Sequence, residues 1–392
     1  MSETDPVTLA RDGAGARGRR QGRVVVAGLG DTGVLVATRL AGRHKVVGIS
    51  TRPALLSGQE LGNRLTVPER WRRSYFVPYR RFRRLDRVRT VHGKITAVDL
   101  ERSLVRVDKA DGTTSEEPYD VLVIATGASN GFWRHDRVQD LAAIDADLAA
   151  VKAQLDAASS IAVVGGGATG VGVADNLARR SSAAVHLFHR GDRPLPGYHP
   201  AAREWIVEQL HRDGVVVHPH HRAVVPEGSA RDQLTDGPVA FSTGQAPFSA
   251  DVTVWAVGGV RPHSAFLPAE VLDADGFVRV DEHLRVPGMP MVFAVGDVAA
   301  SDPLRSSARN WGYRVIVANV HDTLRGRQPR RRFRAPEYRW GSVLGLQRDG
   351  LVVVQPTGRR FRIPRWLAEP LLFRGFVNLY LYGGLRRETP RR

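Results

Sequence analysis

Two glycine-rich loops are the parts of this chain whose residue types and spacing most directly indicate chemistry. Both follow the pattern G-x-G-x-x-G, with glycines at Gly28, Gly30 and Gly33 and at Gly165, Gly167 and Gly170. The first glycine permits a tight turn, the second lets a pyrophosphate approach the main chain, and the third lets a helix pack closely on a strand. The N–H groups that begin the helix then bind phosphate. Two such loops predict two dinucleotide sites.

Each loop stands in the order strand, loop, helix, strand that such a site requires. The β-branched run Arg23–Ala27 precedes the first loop, and a helix over 34–43 and a strand over 45–50 follow it. The second loop lies between strands predicted at 160–164 and 184–188, with a helix to residue 180. A single loop among 40 glycines is weak evidence. Two loops in full context are strong evidence for the fold.

Three further apolar strands end in small residues. Residues 120–124 lead into Ala125-Thr126-Gly127, residues 292–295 into Gly296-Asp297, and residues 252–257 into Gly258-Gly259. A helix is predicted over 305–324, after the Gly-Asp pair. The strand before Gly258 is a near copy of the Ala-Thr-Gly segment.

Taken together, residues 23–330 resemble the two-dinucleotide-binding-domain flavoproteins, in the branch of type II NADH:quinone dehydrogenases and apoptosis-inducing-factor-like reductases. The resemblance implies FAD at the first loop, NADH or NADPH at the second, and Asp297 on the ribityl chain of FAD. The alternative for Asp297 is a cap on the following helix. The implied FAD-binding residues are Gly28, Gly30, Asp31, Thr32, Gly33, Ala125, Thr126, Gly127, Gly296 and Asp297. The implied nicotinamide-cofactor residues are Gly165, Gly167, Ala168, Thr169, Gly170 and Gly258.

The acid that usually binds the adenosine ribose is missing after both loops. Ser50, Thr51 and Arg52 follow the first loop, where Ser50 or Thr51 could bond a ribose and Arg52 could stack on adenine. His189 and Arg190 follow the second. An arginine there accommodates a 2′-phosphate, which favours NADPH over NADH, although arginine is common throughout this chain. The family often has a glutamate where this chain has Gly172, which puts nicotinamide positioning in doubt.

The predicted fold class is α/β, with two Rossmann-like three-layer domains and a small C-terminal unit. The expected boundaries are a disordered tail at 1–22, an FAD domain at 23–145 and 276–330, a nicotinamide domain at 146–275, and a C-terminal unit at 336–392. The FAD domain is thus interrupted by the nicotinamide domain.

An apolar segment over 364–382 ends the C-terminal unit. Trp366, Phe373, Val377 and Tyr380 are predicted to share one helical face, with arginines on either side. Such a helix suits peripheral contact with a membrane. Packing on the protein's own core or on the second subunit of a homodimer is the favoured alternative, because Pro370 and Gly375 interrupt the helix.

Composition bounds the remaining function classes. The net charge is +17, but lysine occurs only four times, and no nucleic-acid motif accompanies the arginines, so we expect no nucleic-acid partner. The absence of cysteine excludes a protein dithiol, an iron–sulfur cluster and a thiolate metal site, and we expect no metal. No apolar run approaches the ~18 residues of a membrane span. We expect a cytoplasmic protein, with association at the inner face of the cell membrane as the alternative.

These features predict an oxidoreductase that transfers hydride from NADPH or NADH to FAD and passes electrons to an acceptor, with a quinone preferred. The alternatives are a reductase of a small redox protein such as a ferredoxin, and a flavin-bound sensor with little turnover. No acid–base residue is required for the first half of the reaction, hydride transfer to the flavin, because the cofactors carry that chemistry. His263 and Trp311 are candidates to lie near the flavin, with core or surface roles equally compatible with their positions.

Overall fold

The structure is a computed structural model that describes residues 21–57, 61–129, 137–227, 233–257, 260–308 and 310–387. Gly258 and most of the predicted tail at 1–22 lie outside the described residues. The strands, in chain order, are β1 (Arg23–Ala27), β2 (Lys45–Ser50), β3 (Ala54–Leu56), β4 (Phe76–Pro78), β5 (Val88–Asp99), β6 (Leu104–Lys109), β7 (Thr114–Pro118), β8 (Val121–Ile124), β9 (Ala128–Ser129), β10 (Ser160–Val164), β11 (Ala184–Phe188), β12 (Val216–His218), β13 (Thr235–Val239), β14 (Phe248–Trp255), β15 (Arg261–Pro262), β16 (Val278–Arg279), β17 (Val292–Ala294), β18 (Ala299–Ala300), β19 (Leu346–Gln347), β20 (Gly350–Val354) and β21 (Arg360–Ile363).

The α-helices are α1 (Asp31–Leu40), α2 (Leu61–Thr66), α3 (Pro68–Tyr75), α4 (Leu141–Ala157), α5 (Ala168–Ala178), α6 (Pro200–Arg212), α7 (Gly312–Thr323) and α8 (Arg365–Leu367). A π-helix at Ala368–Leu381 follows α8 directly, and 3₁₀ turns lie at Tyr79–Arg81, Arg83–Arg87 and Ala269–Val271.

The first glycine loop belongs to a sheet with strand order β17-β8-β1-β2-β5-β6-β7. Strands β17, β8, β1, β2 and β5 are parallel, and β5, β6 and β7 continue as an antiparallel hairpin pair. Alternate residues of β1 serve opposite faces. Val24 and Val26 pack with helices α1 and α7, whereas Val25 and Ala27 pack with the hairpin strands β6 and β5. Three layers result, as the sequence predicts.

The second glycine loop belongs to a sheet with strand order β12-β11-β10-β14-β13. Strands β12, β11, β10 and β14 are parallel, and β13 pairs antiparallel with β14. Because β17 returns to the first sheet after the second sheet is complete, the second fold interrupts the first. The predicted α/β fold class with two Rossmann-like units is therefore confirmed. The domain boundaries given above stay predictions.

The C-terminal residues form a three-stranded antiparallel sheet, β19-β20-β21, followed by α8 and the π-helix. This unit has only a small core of its own, which includes Leu346, Leu351 and Ala368. Its Leu344 and Val354 instead complete the core of the second fold, and Tyr382 completes that of the first. The unit therefore packs on both glycine-loop folds.

Two local predictions are wrong. The helix expected over 305–324 begins only at Gly312. Arg305 and Trp311 have left-handed main-chain conformations, which a right-handed helix cannot include. Pro370 and Gly375 do not interrupt the C-terminal helix. The π-helix continues through both residues, from Ala368 to Leu381.

The predicted apolar face of 364–382 is also wrong, since it assumed 3.6 residues per turn and a π-helix has wider turns. Trp366 and Tyr380 are 73% and 53% exposed, whereas Val377 packs against the core of the first fold. The side chain of Phe373 lies outside the described residues. The exposed apolar side chains of this segment combine two residues of the predicted face, Trp366 and Tyr380, with three others, Leu371, Phe376 and Leu379.

Candidate functional site

The first glycine loop has the geometry that its pattern predicts. Gly28 has φ +99°, and a Cβ on it would stand 2.5 Å from the carbonyl oxygen of Ala125. A Cβ on Gly33 would stand 1.8 Å from the carbonyl oxygen of Gly28. At Gly30, in contrast, a Cβ would meet no atom within 4 Å. The turn and the helix contact thus exclude side chains, while the middle of the loop is open to a ligand.

The second loop repeats this geometry position by position. A Cβ on Gly165, whose φ is +130°, would stand 2.2 Å from the carbonyl oxygen of Ala256. A Cβ on Gly170 would stand 1.9 Å from the carbonyl oxygen of Gly165, and one on Gly167 would meet no atom within 4 Å. In both folds the loop caps a helix whose first N–H groups have no side-chain partner at the N-cap. Both loops therefore fit a pyrophosphate.

A cavity of about 620 Å³ opens at the carboxyl end of the first sheet. It brings together the first loop, the Ala-Thr-Gly segment and the Gly-Asp pair, which are separated by about 270 residues in the sequence. The predicted residues that line it are Gly28, Gly30, Asp31, Thr32, Ser50, Thr51, Arg52, Ala125, Thr126, Gly127, Gly296 and Asp297. Gly33 supports the wall by its contact with Gly28 and does not line the cavity.

The second-loop residues do not line this cavity among the residues that the structure describes. Gly165, Gly167, Ala168, Thr169 and Gly170 surround the N-terminus of α5, which lies in the other sheet's fold. The structure therefore separates the predicted site residues into two places, as a pair of nucleotide sites requires.

Ser50 occupies the position where the ribose acid is missing. The Tyr79 hydroxyl lies 2.8 Å from the carbonyl oxygen of Leu29 and 3.0 Å from Ser50 Oγ. Since a carbonyl only accepts, the single phenolic proton goes to Leu29, and Ser50 donates to the phenol oxygen. Arg52 N–H donates to Ser50 Oγ over 3.2 Å, and one acceptor lone pair of Ser50 remains for a ligand.

Arg52 and Thr51 are fixed by residues that no sequence motif indicated. Arg52 Nε donates to Gln139 Oε1 over 3.1 Å, and Gln139 N–H donates to the Thr51 carbonyl over 2.9 Å. The His92 ring lies 3.2 Å from the same carbonyl. These contacts hold the Arg52 side chain and the Thr51 main chain at the cavity wall, at the positions where the sequence lacks the expected acid.

Asp297 is positioned by a buried serine. Ser307 Oγ accepts from Gly296 N–H over 2.9 Å, and Ser307 is fully buried. This contact orders the Gly-Asp turn and leaves Asp297 at the cavity wall. Helix α7 begins only at Gly312, so Asp297 does not cap it. The capping alternative is wrong.

His189 lies directly beside the second loop. A Cβ on Gly166 would stand 2.8 Å from His189 Cβ, and His189 is only 4% exposed. Burial, and then the charges of His220, Arg203 and His221, lower the pKa of His189 to about 4. Its ring is therefore neutral near pH 7. Arg190, the next residue, is exposed.

The packing of the C-terminal unit explains why position 172 holds a glycine. A Cβ on this buried residue of α5 would stand 2.9 Å from the carbonyl oxygen of Val343, in the C-terminal unit. A glutamate at this position would displace that main chain. The missing acid therefore reflects the packing of the C-terminal unit on α5.

His263 lines the cavity, whereas Trp311 does not. His263 Nε2 is 2.7 Å from Ser129 Oγ, and Thr126 Oγ1 donates to the His263 carbonyl over 2.6 Å. Trp311 packs instead against Arg314 and, edge to face, against Phe376 of the π-helix. Lining residues that the sequence did not indicate include Tyr79, Gly93, Lys94, Ile95, Thr96, Arg261, Pro262, Ala265, Phe266 and Ala308.

Comparison with known proteins fits this geometry. Residues 22–321 match the sequence profile of the family described as pyridine nucleotide-disulphide oxidoreductase. The chain belongs to this family. Proteins of this family use FAD together with NADH or NADPH, so these cofactors are assigned to the chain through its family. Because the chain contains no cysteine, the disulphide chemistry in the family's name has no dithiol here.

Three curated relatives illustrate the range of the family. Oxidoreductase ptaL of Pestalotiopsis fici is 30% identical, over 55% of this chain and 58% of its own. The ferredoxin–NAD(+) reductase component of the p-cumate 2,3-dioxygenase system of Pseudomonas putida is 30% identical, over 53% and 49%. Ferroptosis suppressor protein 1 of Mus musculus is 26% identical, over 60% and 64%. The chain thus spans about half to two thirds of these relatives.

Solved structures show the same fold. An engineered water-forming NADPH oxidase, derived from the Lactobacillus brevis NADH oxidase, superposes with a TM-score of 0.61 at 18% identity, covering 84% of this chain and 74% of its own. NDH2 of Plasmodium falciparum gives a TM-score of 0.56 at 18% identity, covering 71% and 64%. The predicted resemblance to the type II and apoptosis-inducing-factor-like branch is confirmed.

Proposed function

We propose that this chain transfers hydride from NADPH to FAD and passes the electrons to a quinone. Two observations together support the proposal. The two glycine loops have the same geometry, and the first loop, the Ala-Thr-Gly segment and the Gly-Asp pair line one cavity. FAD supplies the two-electron chemistry that links a nicotinamide cofactor to an acceptor. The protein's contribution is to bind, orient and align.

In the proposed FAD site, Gly30 and the N-terminus of α1 take the pyrophosphate, Ser50 accepts a hydrogen bond from the adenosine ribose, and Asp297 takes the ribityl chain. Arg52 lies where it can cover the adenine. The residues present fit the group, because the loop is open at Gly30 and closed on both sides by main-chain contacts.

In the proposed nicotinamide site, Gly167 and the N-terminus of α5 take the pyrophosphate. The neutral His189 ring lies beside the loop where an acid would repel a 2′-phosphate, and the exposed Arg190 can pair with that phosphate. The engineered NADPH oxidase was made by substitutions that remove an aspartate and introduce two arginines. Both features favour NADPH.

A quinone acceptor is supported by the apolar surface of the π-helix. Phe376 of this helix contacts Trp311, which lies three residues from the cavity-lining Ala308. Leu371 and Leu379 are 61% and 66% exposed on the same helix. We infer that an acceptor with an apolar ring and tail binds at these exposed apolar side chains.

The same surface supports peripheral contact with an anionic membrane. Arg314 Nη2 donates to the Tyr380 hydroxyl over 2.6 Å, and Arg39 donates to the Leu381 carbonyl over 3.2 Å. Exposed apolar side chains bordered by arginines suit the boundary of a lipid bilayer. Every helix among the described residues is too short or too polar to cross a bilayer.

Stopped-flow spectroscopy tests the proposal. NADPH should bleach the flavin absorbance of the purified protein faster than NADH, and a soluble quinone should restore it. Protein that binds no FAD, or whose flavin neither cofactor reduces at millimolar concentration, would refute the enzyme function and leave a binding or sensing role.

A ferredoxin-type acceptor is the second candidate. The net charge of +17 suits an acidic redox protein, and one relative is named as a ferredoxin–NAD(+) reductase component. Reoxidation by a ferredoxin that exceeds reoxidation by quinone, and that weakens steeply with salt, would select this candidate instead.

A further inference from the structure

A segment of the C-terminal unit crosses between the two glycine-loop folds. We call residues 338–347 the strap. On the side of the first fold, Arg339 Nη2 donates to the Leu304 carbonyl over 2.6 Å, and Trp340 Nε1–H donates to Asn310 Oδ1 over 2.6 Å. Asn310 lies two residues from Ala308, which lines the cavity. The strap therefore bonds to the segment that also contains the lining residue Ala308.

On the side of the second fold, the strap contacts the helix that follows the second loop. Asn176 Nδ2 donates to the Leu344 carbonyl over 3.0 Å, and Gln347 Nε2 donates to Asp175 Oδ2 over 3.2 Å. Asp175 and Asn176 are buried residues of α5. Arg339 N–H also donates to the Gly197 carbonyl over 2.8 Å. Arg339 thus forms hydrogen bonds with both folds.

Two glycines permit this approach. A Cβ on Gly172 would stand 2.9 Å from the Val343 carbonyl oxygen, and one on Gly197 would stand 3.3 Å from both Arg339 Cδ and Leu304 Cδ2. Neither glycine has a positive φ, so the main-chain conformation does not require glycine. Glycine inside a helix is also less favourable than alanine, because it loses more main-chain freedom on folding. Close packing of the strap accounts for Gly172 in spite of that cost.

We propose that Arg339 and Trp340 are positioning residues, which hold the second glycine-loop fold against the first at the separation that hydride transfer requires. This inference rests on the proposed function. Reacting atoms must come within about 3–3.5 Å, and a misplacement of about 1 Å can cost ~10²-fold in rate. The hydrogen bonds of the strap described above go to residues outside both glycine loops, so substitution of Arg339 and Trp340 should alter how the folds are held together and leave each site's own binding residues in place.

The test uses Arg339→Ala combined with Trp340→Phe. The second substitution keeps an aromatic ring and removes the indole N–H. The matched control is Arg348→Ala, an exposed arginine just beyond the strap. FAD content and the NADPH dissociation constant should change less than 3-fold, while NADPH should reduce the flavin at least 10-fold more slowly. Calorimetry of the purified, FAD-bound protein should show one unfolding transition in the control and two in the double variant.

A second variant tests the packing at Gly172. Gly172→Ala should speed amide hydrogen exchange in the strap, whereas Gly42→Ala, where a Cβ meets no atom within 4 Å, should not. Unchanged reduction rates and a single unfolding transition in the double variant would overturn the inference. Loss of FAD binding would overturn it too, because the segment would then belong to the FAD site. If the wild type is not reduced by either nucleotide, the proposed function fails, and calorimetry and hydrogen exchange still decide whether the strap couples the folds.

Discussion

Ser50 Oγ lies 3.0 Å from the Tyr79 hydroxyl, and the two side chains form the polar wall of the cavity beside the first loop. Burial raises the pKa of Tyr79 well above its usual value, so the phenol keeps its proton and gives it to the Leu29 carbonyl. Ser50 then donates to the phenol and keeps an acceptor site. We propose that this hydroxyl takes the role of the missing carboxylate.

Ser50→Ala should weaken FAD binding about 3- to 10-fold, because it removes one ribose hydrogen bond worth ~1 kcal/mol. The measurement is titration of the FAD-free protein with FAD, followed by fluorescence quenching. Ser115→Ala, in the distant hairpin strand β7, is the control and should bind FAD as the wild type does. Equal affinities for all three proteins would show that Ser50 does not contact the ribose.

Arg190→Ala should raise the KM for NADPH at least 10-fold and leave the KM for NADH within 2-fold, because it removes a charged partner of the 2′-phosphate. Steady-state kinetics with both cofactors measure the change. Arg102→Ala, an exposed arginine on the hairpin after β5, controls for loss of surface charge. A parallel loss with both cofactors would indicate a structural effect at the loop and argue against recognition of the phosphate.

Leu379→Glu should reduce binding to vesicles that contain anionic lipid by at least 5-fold, because it places a charge in the exposed apolar surface of the π-helix. Co-sedimentation with such vesicles measures this. Val224→Glu is the matched control, since Val224 is also an exposed apolar residue but lies in the second fold. Vesicle binding that is absent in the wild type, or equal in both variants, would contradict membrane contact.

His321 predicts a pH dependence of stability. Its ring lies 2.8 Å from His44, and burial, followed by the charges of His44, Arg43 and Arg325, lowers the pKa of His321 to about 4. The unfolded chain binds a proton near pH 6.5, and the folded chain does not until about pH 4. Stability from this group is therefore complete above pH 6.5 and is lost as the pH falls towards 4.

His321→Asn should reduce the fall in melting temperature between pH 7 and pH 4.5 relative to the wild type. The ring is partly exposed, so the expected contribution is only about 1 kcal/mol. His211→Asn, at the exposed C-terminal end of α6, should leave the pH dependence unchanged. A wild-type melting temperature that is flat over this range would refute the assignment.

The sequence by itself determined both glycine loops, the strands before them and the interrupted order of the two folds. The reason is local. Close main-chain contacts at each strand–turn–helix unit require glycine at Gly28, Gly33, Gly165 and Gly170. The pattern of residue types therefore predicts these units.

Only the tertiary structure decided what replaces the missing acids and what surrounds Gly172. Tyr79 reaches Ser50 from another part of the fold, and Val343 approaches Gly172 across 171 positions of the chain. The π-helix was not predicted either. Its pattern of buried side chains follows its packing on the first fold and does not repeat every 3.6 residues. Contacts between residues so distant in sequence depend on how whole folds pack together, and no spacing within either segment encodes them.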